Sequence, residues 1–206
     1  MADVWVKLCG CTSPADVALA AQCGADAFGM IFAASPRRIT FEAAEDIARH
    51  LPQKISPVAV FVNPTEDDVE SVQELFPNAF LQFSGEETPE FVARYGDRAI
   101  KAMHIDDMST NVRERCDRYA GAFLLFDARQ DGMAGGTGRT FDWNQVAAIA
   151  QERRVIVAGG LTPQNVGECI ARARPFGVDV RTGIESDGHK DPAKMQAFVD
   201  AVRGAA

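Results

Sequence analysis

Val4-Trp5-Val6-Lys7-Leu8-Cys9-Gly10-Cys11-Thr12-Ser13-Pro14 decides how the rest of the chain is read. A run rich in β-branched and aromatic residues ends in a glycine turn. A hydroxyl followed by proline comes next, which is the signature of a helix N-terminus. The unit is therefore a strand feeding a helix, and it returns along the whole sequence. Strands are expected at 4–9, 27–32, 57–62, 79–83, 99–102, 122–126, 155–158 and 177–180, and helices at 14–23, 41–51, 66–76, 89–95, 111–119, 143–153, 163–173 and 193–202. Ser13-Pro14, Thr88-Pro89 and Thr162-Pro163 each set a capping hydroxyl before a proline suited to the first helical position. Strands alternating with helices predict a parallel sheet of the α/β class. Eight such pairs predict a single (β/α)8 TIM barrel spanning residues 1–206 as one domain. The competing fold is an open doubly wound sheet. That fold usually carries fewer strands and a Gly-x-Gly-x-x-Gly turn after the first, where this chain has Cys9-Gly10-Cys11-Thr12.

Composition narrows the function classes. A chain of 206 residues with 47% hydrophobic content is long enough for one substantial core and short for two full-sized domains. A net charge of -8 without a Lys/Arg cluster argues against nucleic acid and against an anionic membrane surface. The N-terminal stretch lacks the pattern of a secretory signal, and no apolar run reaches membrane-spanning length, so a cytoplasmic location is expected. The five cysteines fall without any C-x-x-C or His-linked spacing and read as reduced thiols. Cys9-Gly10-Cys11 is too tight for an ordinary zinc signature, so no metal is expected.

In a TIM barrel the active site lies at the C-terminal ends of the strands. Period-two alternation along the first strand turns Val4, Val6 and Leu8 towards the helices. Trp5, Lys7 and Cys9 turn into the barrel, with Cys9 at the mouth and Lys7 one layer below it. A buried ammonium needs a counter-charge, and Asp179 on the neighbouring eighth strand has the matching parity, so a Lys7/Asp179 ion pair is expected. The sixth strand ends in Asp127, which reads either as a mouth carboxylate or as a turn cap. Gly132 to Gly138 follows, either as a lid over the mouth or as a plain long turn. Glycines after strands seven and eight (Gly159, Gly160, Gly183) match the barrel's recurrent phosphate cradle and favour a phosphorylated ligand.

Taken in order, Lys7-Leu8-Cys9-Gly10-Cys11-Thr12, Ser35-Pro36-Arg37-Arg38-Ile39, Val60-Phe61-Val62-Asn63, Ala158-Gly159-Gly160-Leu161-Thr162-Pro163 and Gly188-His189-Lys190-Asp191-Pro192 resemble the phosphoribosylanthranilate isomerase family, collinearly over nearly the full chain. The resemblance implies an isomerase of tryptophan biosynthesis. It would open the ring of a phosphoribosyl aminoaldose and move it to the aminoketose by general acid/base catalysis, without a cofactor. Carried onto matching positions, Cys9 would be the general base and Asp127 the general acid. Arg37 would sit near the anthranilate carboxylate, Gln82, Gly159, Gly160 and Gly183 would bind substrate, and Gly135, Gly136, Thr137 and Gly138 would form the lid.

Two stretches depart from the family. The fourth strand usually ends Gln-Leu-His-Gly-Glu and here reads Gln82-Phe83-Ser84-Gly85-Glu86. After strand eight, the usual Ser-Ser-Gly is Arg181-Thr182-Gly183. Arg181 is expected to supplement the phosphate cradle or to reach a substrate carboxylate, the alternative being an outward-swung Arg paired with Glu185. These changes keep open a paralogue acting on a related phosphoribosyl amine, or a non-catalytic phosphosugar-binding barrel. Of His50, His104 and His189, only His104 falls where it could approach the site, and a solvated loop histidine is the expected reading. The expected partner is a small phosphoribosyl substrate, and the helices suit a monomer or a homodimer equally.

Overall fold

The computed structural model describes residues 3–105, 112–128 and 142–205. Eight parallel strands close on themselves: β1 (Trp5–Cys9), β2 (Ala27–Ile31), β3 (Ser56–Phe61), β4 (Phe80–Phe83), β5 (Ala99–Ile105), β6 (Phe123–Ala128), β7 (Val155–Val157) and β8 (Gly177–Val180). Closure is carried by β1, which pairs with β2 on one side and with β8 on the other, Lys7 standing opposite both Ala27 and Asp179. The open-sheet alternative is thereby removed. Between and after the strands run α1 (Pro14–Gln22), α2 (Phe41–Arg49), α3 (Glu66–Leu75), α4 (Pro89–Ala93), α5 (Val112–Asp117), α6 (Asn144–Ala150), α7 (Val166–Ala173) and α8 (Pro192–Ala205).

Local chemistry explains most helix starts. Ser13 and Thr65 each form a capping box with the aspartate three residues on, Asp16 and Asp68, and Thr88 caps α4 ahead of Pro89. Thr162-Pro163 does not start α7 as expected. Asn165 accepts from the Thr162 amide at 2.8 Å and donates to the Gly160 carbonyl at 2.9 Å, which holds a turn there and delays the helix to Val166. β5 is longer than expected, running three residues past Ala102 because its pairing with β6 continues through His104↔Asp127 and Ile105↔Ala128.

The strands separate two apolar regions. Outward residues such as Val6, Leu8, Phe28 and Leu124 pack under the helices with Phe198 and Val202. Inward ones, including Ala27, Val58, Ile100, Leu125 and Ile156, fill the barrel. At its N-terminal end the barrel is closed by aromatic edges. Trp5 meets Phe80 at 6.0 Å, Phe80 meets Phe123 at 5.7 Å, and Phe123 meets Phe176 at 5.1 Å between ring centroids. Open space is left at the other end.

A short hairpin absent from the sequence reading follows β8: β9 (Glu185–Ser186) and β10 (His189–Lys190). Asp187 and Gly188 both hold positive φ, 50° and 80°, the backbone that a two-residue Asp-Gly hairpin turn requires.

Candidate active site

The C-terminal mouth of the barrel is lined by Cys9 (β1), Gln82 and Ser84 (β4), His104 (β5), Asp127 (β6), Gly159 and Gly160 after β7, and Asp179 and Arg181 at β8. Between them lies an apolar wall of Ile31, Val60, Val62, Ala102 and Leu125. Polar groups thus line the mouth at β1, at β4 to β6 and at β8, while Ile31, Val60, Val62, Ala102 and Leu125 give it apolar surface on β2, β3, β5 and β6.

Beneath Cys9 is a polar layer buried in the barrel. Lys7 is fully buried, and its Nζ lies 3.1 Å from Asp179 Oδ2 and donates to Gln82 Oε1 at 2.7 Å, which establishes the expected ion pair. Gln82 passes the chain on, donating from Nε2 to Ser84 Oγ at 3.1 Å. Burial pulls the Lys7 pKa down, but Asp179 and then Cys9 outweigh it and hold the ammonium above its ordinary value. For Cys9, burial pushes the thiol up, and the Lys7 charge is the largest opposing influence. Gly29 on β2 makes room for both side chains, since a Cβ there would stand 2.7 Å from Cys9 Sγ and 3.0 Å from Lys7 Cε.

The loops after β7 and β8 meet backbone to backbone. Gly159 and Gly160 hold φ of 83° and 64°, and a Cβ on Gly183 would stand 2.0 Å from the Leu161 carbonyl oxygen. Positive φ favours glycine at 159 and 160, and at 183 only glycine lets the two loops approach each other. Gly183 itself lies behind the mouth, with its neighbours Arg181 and Thr182 lining it. The outward-swung reading of Arg181 is corrected. Arg181 lines the mouth, and Glu185 is occupied by Arg37 Nη2 at 2.5 Å and Lys190 Nζ at 2.9 Å. Lys190 also donates to the Cys9 carbonyl at 2.5 Å, so the β9/β10 hairpin pins the turn that carries Cys9.

Arg37 stands beside the mouth rather than in its lining, tied to Glu185. Gly135, Gly136, Thr137 and Gly138 lie outside the described residues. His104 corrects the sequence reading: it is a half-buried residue of β5 facing the mouth, where a solvated loop histidine was expected. Extending the inward parity of Ile100 and Ala102 by two residues would have found it. Asp179 was read only as the partner of Lys7. It also lines the mouth, with Oδ1 buried and lacking a hydrogen-bond partner among the described residues. Among the described residues, no three His, Cys, Asp or Glu side chains gather as a metal site, and no helix is long and apolar enough to cross a membrane.

A family model described as N-(5'phosphoribosyl)anthranilate (PRA) isomerase matches residues 6–201. The N-(5'-phosphoribosyl)anthranilate isomerase of Desulforudis audaxviator is 41% identical over 200 residues, covering 97% of this chain and 98% of that protein. The crystal structure of phosphoribosyl anthranilate isomerase from Thermotoga maritima superposes with a TM-score of 0.87 at 32% identity, covering 98% of this chain and 99% of that one. A phosphoribosyl anthranilate isomerase in complex with reduced 1-(o-carboxyphenylamino)-1-deoxyribulose 5-phosphate superposes at a TM-score of 0.84, 32% identical, with 98% and 99% covered.

Proposed function

Since the chain belongs to the phosphoribosylanthranilate isomerase family and catalyses the Amadori rearrangement of tryptophan biosynthesis, we propose that Cys9 is its general base and Asp127 its general acid. The observation that carries this assignment is that the two side chains line one mouth from β1 and β6, with an apolar wall on one side and a glycine-built cradle on the other.

Asp127 in its protonated form gives its proton to the furanose oxygen. The C1–O bond breaks and the anilino nitrogen lone pair forms an iminium with C1. The iminium acidifies the C2 hydrogen, which passes as a proton to the Cys9 thiolate while its electrons form the C1–C2 double bond of an enolamine. Protonation of C1 and loss of the C2 hydroxyl proton then give the aminoketose. Lys7 sits under the sulfur as a fixed cation, held charged by Asp179, and offsets part of the cost of a buried thiolate.

The touching loops after β7 and β8, with Gly159, Gly160, Thr182 and Gly183, are proposed as the phosphate cradle, and Arg181 supplements it with a positive charge. Arg37 is the proposed partner of the anthranilate carboxylate. Its Nε is buried without a hydrogen-bond partner among the described residues, which leaves a donor for an anion while Glu185 holds Nη2. Gln82, engaged at both ends by Lys7 and Ser84, serves the substrate by ordering that layer. Five buried free thiols fit a reducing compartment such as the cytoplasm.

The test is steady-state turnover of freshly generated phosphoribosylanthranilate, followed by loss of its fluorescence. Cys9→Ser and Asp127→Asn are each expected to lower kcat by roughly a hundredfold or more. Either variant retaining near wild-type kcat would remove that residue from its role.

A further inference from the structure

The mouth holds one imidazole for which the proposed acid and base leave no task. We propose that His104 is a substrate-contacting residue whose Nδ1 accepts a hydrogen bond from the anilino N–H of the substrate, a bond that tightens when that nitrogen becomes the iminium. This rests on the assignment of Asp127 and Cys9 to ring opening and C2 deprotonation.

Three observations carry it. His104 continues the inward series Ile100 and Ala102 on β5, and its register partner on β6 is Asp127, so the ring stands beside the proposed acid. Its Nε2 lies 3.0 Å from the Ser84 carbonyl oxygen. A carbonyl only accepts, so Nε2 carries a proton, and Nδ1 is the nitrogen that offers the lone pair when the ring accepts a hydrogen bond. Nδ1 is buried and has no hydrogen-bond partner among the described residues, a state that native sites seldom leave unused.

Position selects the ligand group. The proposed phosphate cradle is at β7 and β8, and His104 stands away from it, next to Ala102 and Leu125, whose apolar side chains suit the aromatic half of the substrate. On that half the carboxylate is an acceptor and the anilino N–H is the donor that a lone pair can take. Ring opening leaves this N–H on a cationic nitrogen, so the bond is stronger in the iminium than in the bound substrate and acts on kcat more than on binding. Ser84, the residue after β4, contributes the carbonyl that orients the imidazole.

Steady-state kinetics of His104→Ala and His104→Asn would test the proposal, alongside binding of reduced 1-(o-carboxyphenylamino)-1-deoxyribulose 5-phosphate, whose nitrogen stays an uncharged amine. His104→Ala is expected to lower kcat about tenfold or more while KM and analogue affinity move by about threefold or less. His104→Asn, which keeps a side-chain acceptor near Nδ1, should recover most of kcat. An unchanged kcat in His104→Ala overturns the proposal, as does an equal loss in both variants accompanied by matching losses of analogue binding, which marks a packing role. Cys9→Ser and Asp127→Asn in the same assay report on the acid/base assignment separately, because they are expected to abolish turnover whatever residue 104 is.

Discussion

At the residue scale, the unusual feature is that burial raises the pKa of Cys9, the thiol proposed as the base. The difficulty is smaller than it looks. In the proposed mechanism the reactive form has one proton between the pair, on Asp127, with Cys9 as thiolate. The resting form with the proton on sulfur has the same count, so changing pH within that range does not change the fraction that reacts. Activity is lost on the alkaline side only when the last proton leaves, which for a raised thiol lies above its ordinary value of 9.0. Lys7, itself held above 10.5, stays charged throughout that interval. The expected kcat/KM profile shows no alkaline fall up to about pH 9, the alkaline loss coming only beyond it. An alkaline limb centred near pH 8 would mean that the thiol is lowered, not raised.

At the element scale, the loops do the positioning and the strands supply parity. β1, β4, β5, β6 and β8 each bring a polar side chain to the mouth, within the strand or one residue after it, and the loops after β7 and β8 are locked together where Gly183 faces the Leu161 carbonyl. Gly183→Ala would drive a methyl to 2.0 Å from that oxygen, and backbone cannot yield as a side-chain tip does. The loops must part, so substrate KM and the Kd for inorganic phosphate should both rise by about tenfold or more, with Tm little changed because the barrel strands are untouched. Unaltered phosphate affinity in that variant would place the cradle elsewhere. Sequence located these elements well where a cap and a period agreed, as at Ser13-Pro14, and poorly where a side chain overrode the cap, as Asn165 does at the start of α7. Asp187-Gly188 was a legible hairpin signal, hidden because the strands it joins are two residues each.

At the scale of the whole molecule, the five cysteines are all buried and free, and burial pushes Cys11 and Cys169 up to about 12 and Cys116 to about 11. Native protein should therefore react slowly with a thiol reagent at neutral pH and release five equivalents only when denatured. Fast modification of one or more thiols in native protein, unaffected by the reduced product analogue, would contradict this picture of a closed barrel with Cys9 under its ligand. Closure also explains the charge layout. Lys7 and Asp179 are far apart in sequence, and they meet because β8 returns to β1.

The sequence by itself determined the eight strand-helix pairs and the facing of β1, and hence the mouth position of Cys9, while Asp127 read equally as a mouth carboxylate or a turn cap. Period, caps and glycine turns are local properties that each segment carries whatever surrounds it. Tertiary structure alone decided which polar groups share partners: Gln82 bridging Lys7 to Ser84, Glu185 pairing with both Arg37 and Lys190, and His104 meeting the Ser84 carbonyl through Nε2. Hydrogen bonds and ion pairs are made across strands and loops distant in sequence. Their choice of partner depends on angstrom-scale distances that arise only when the barrel closes.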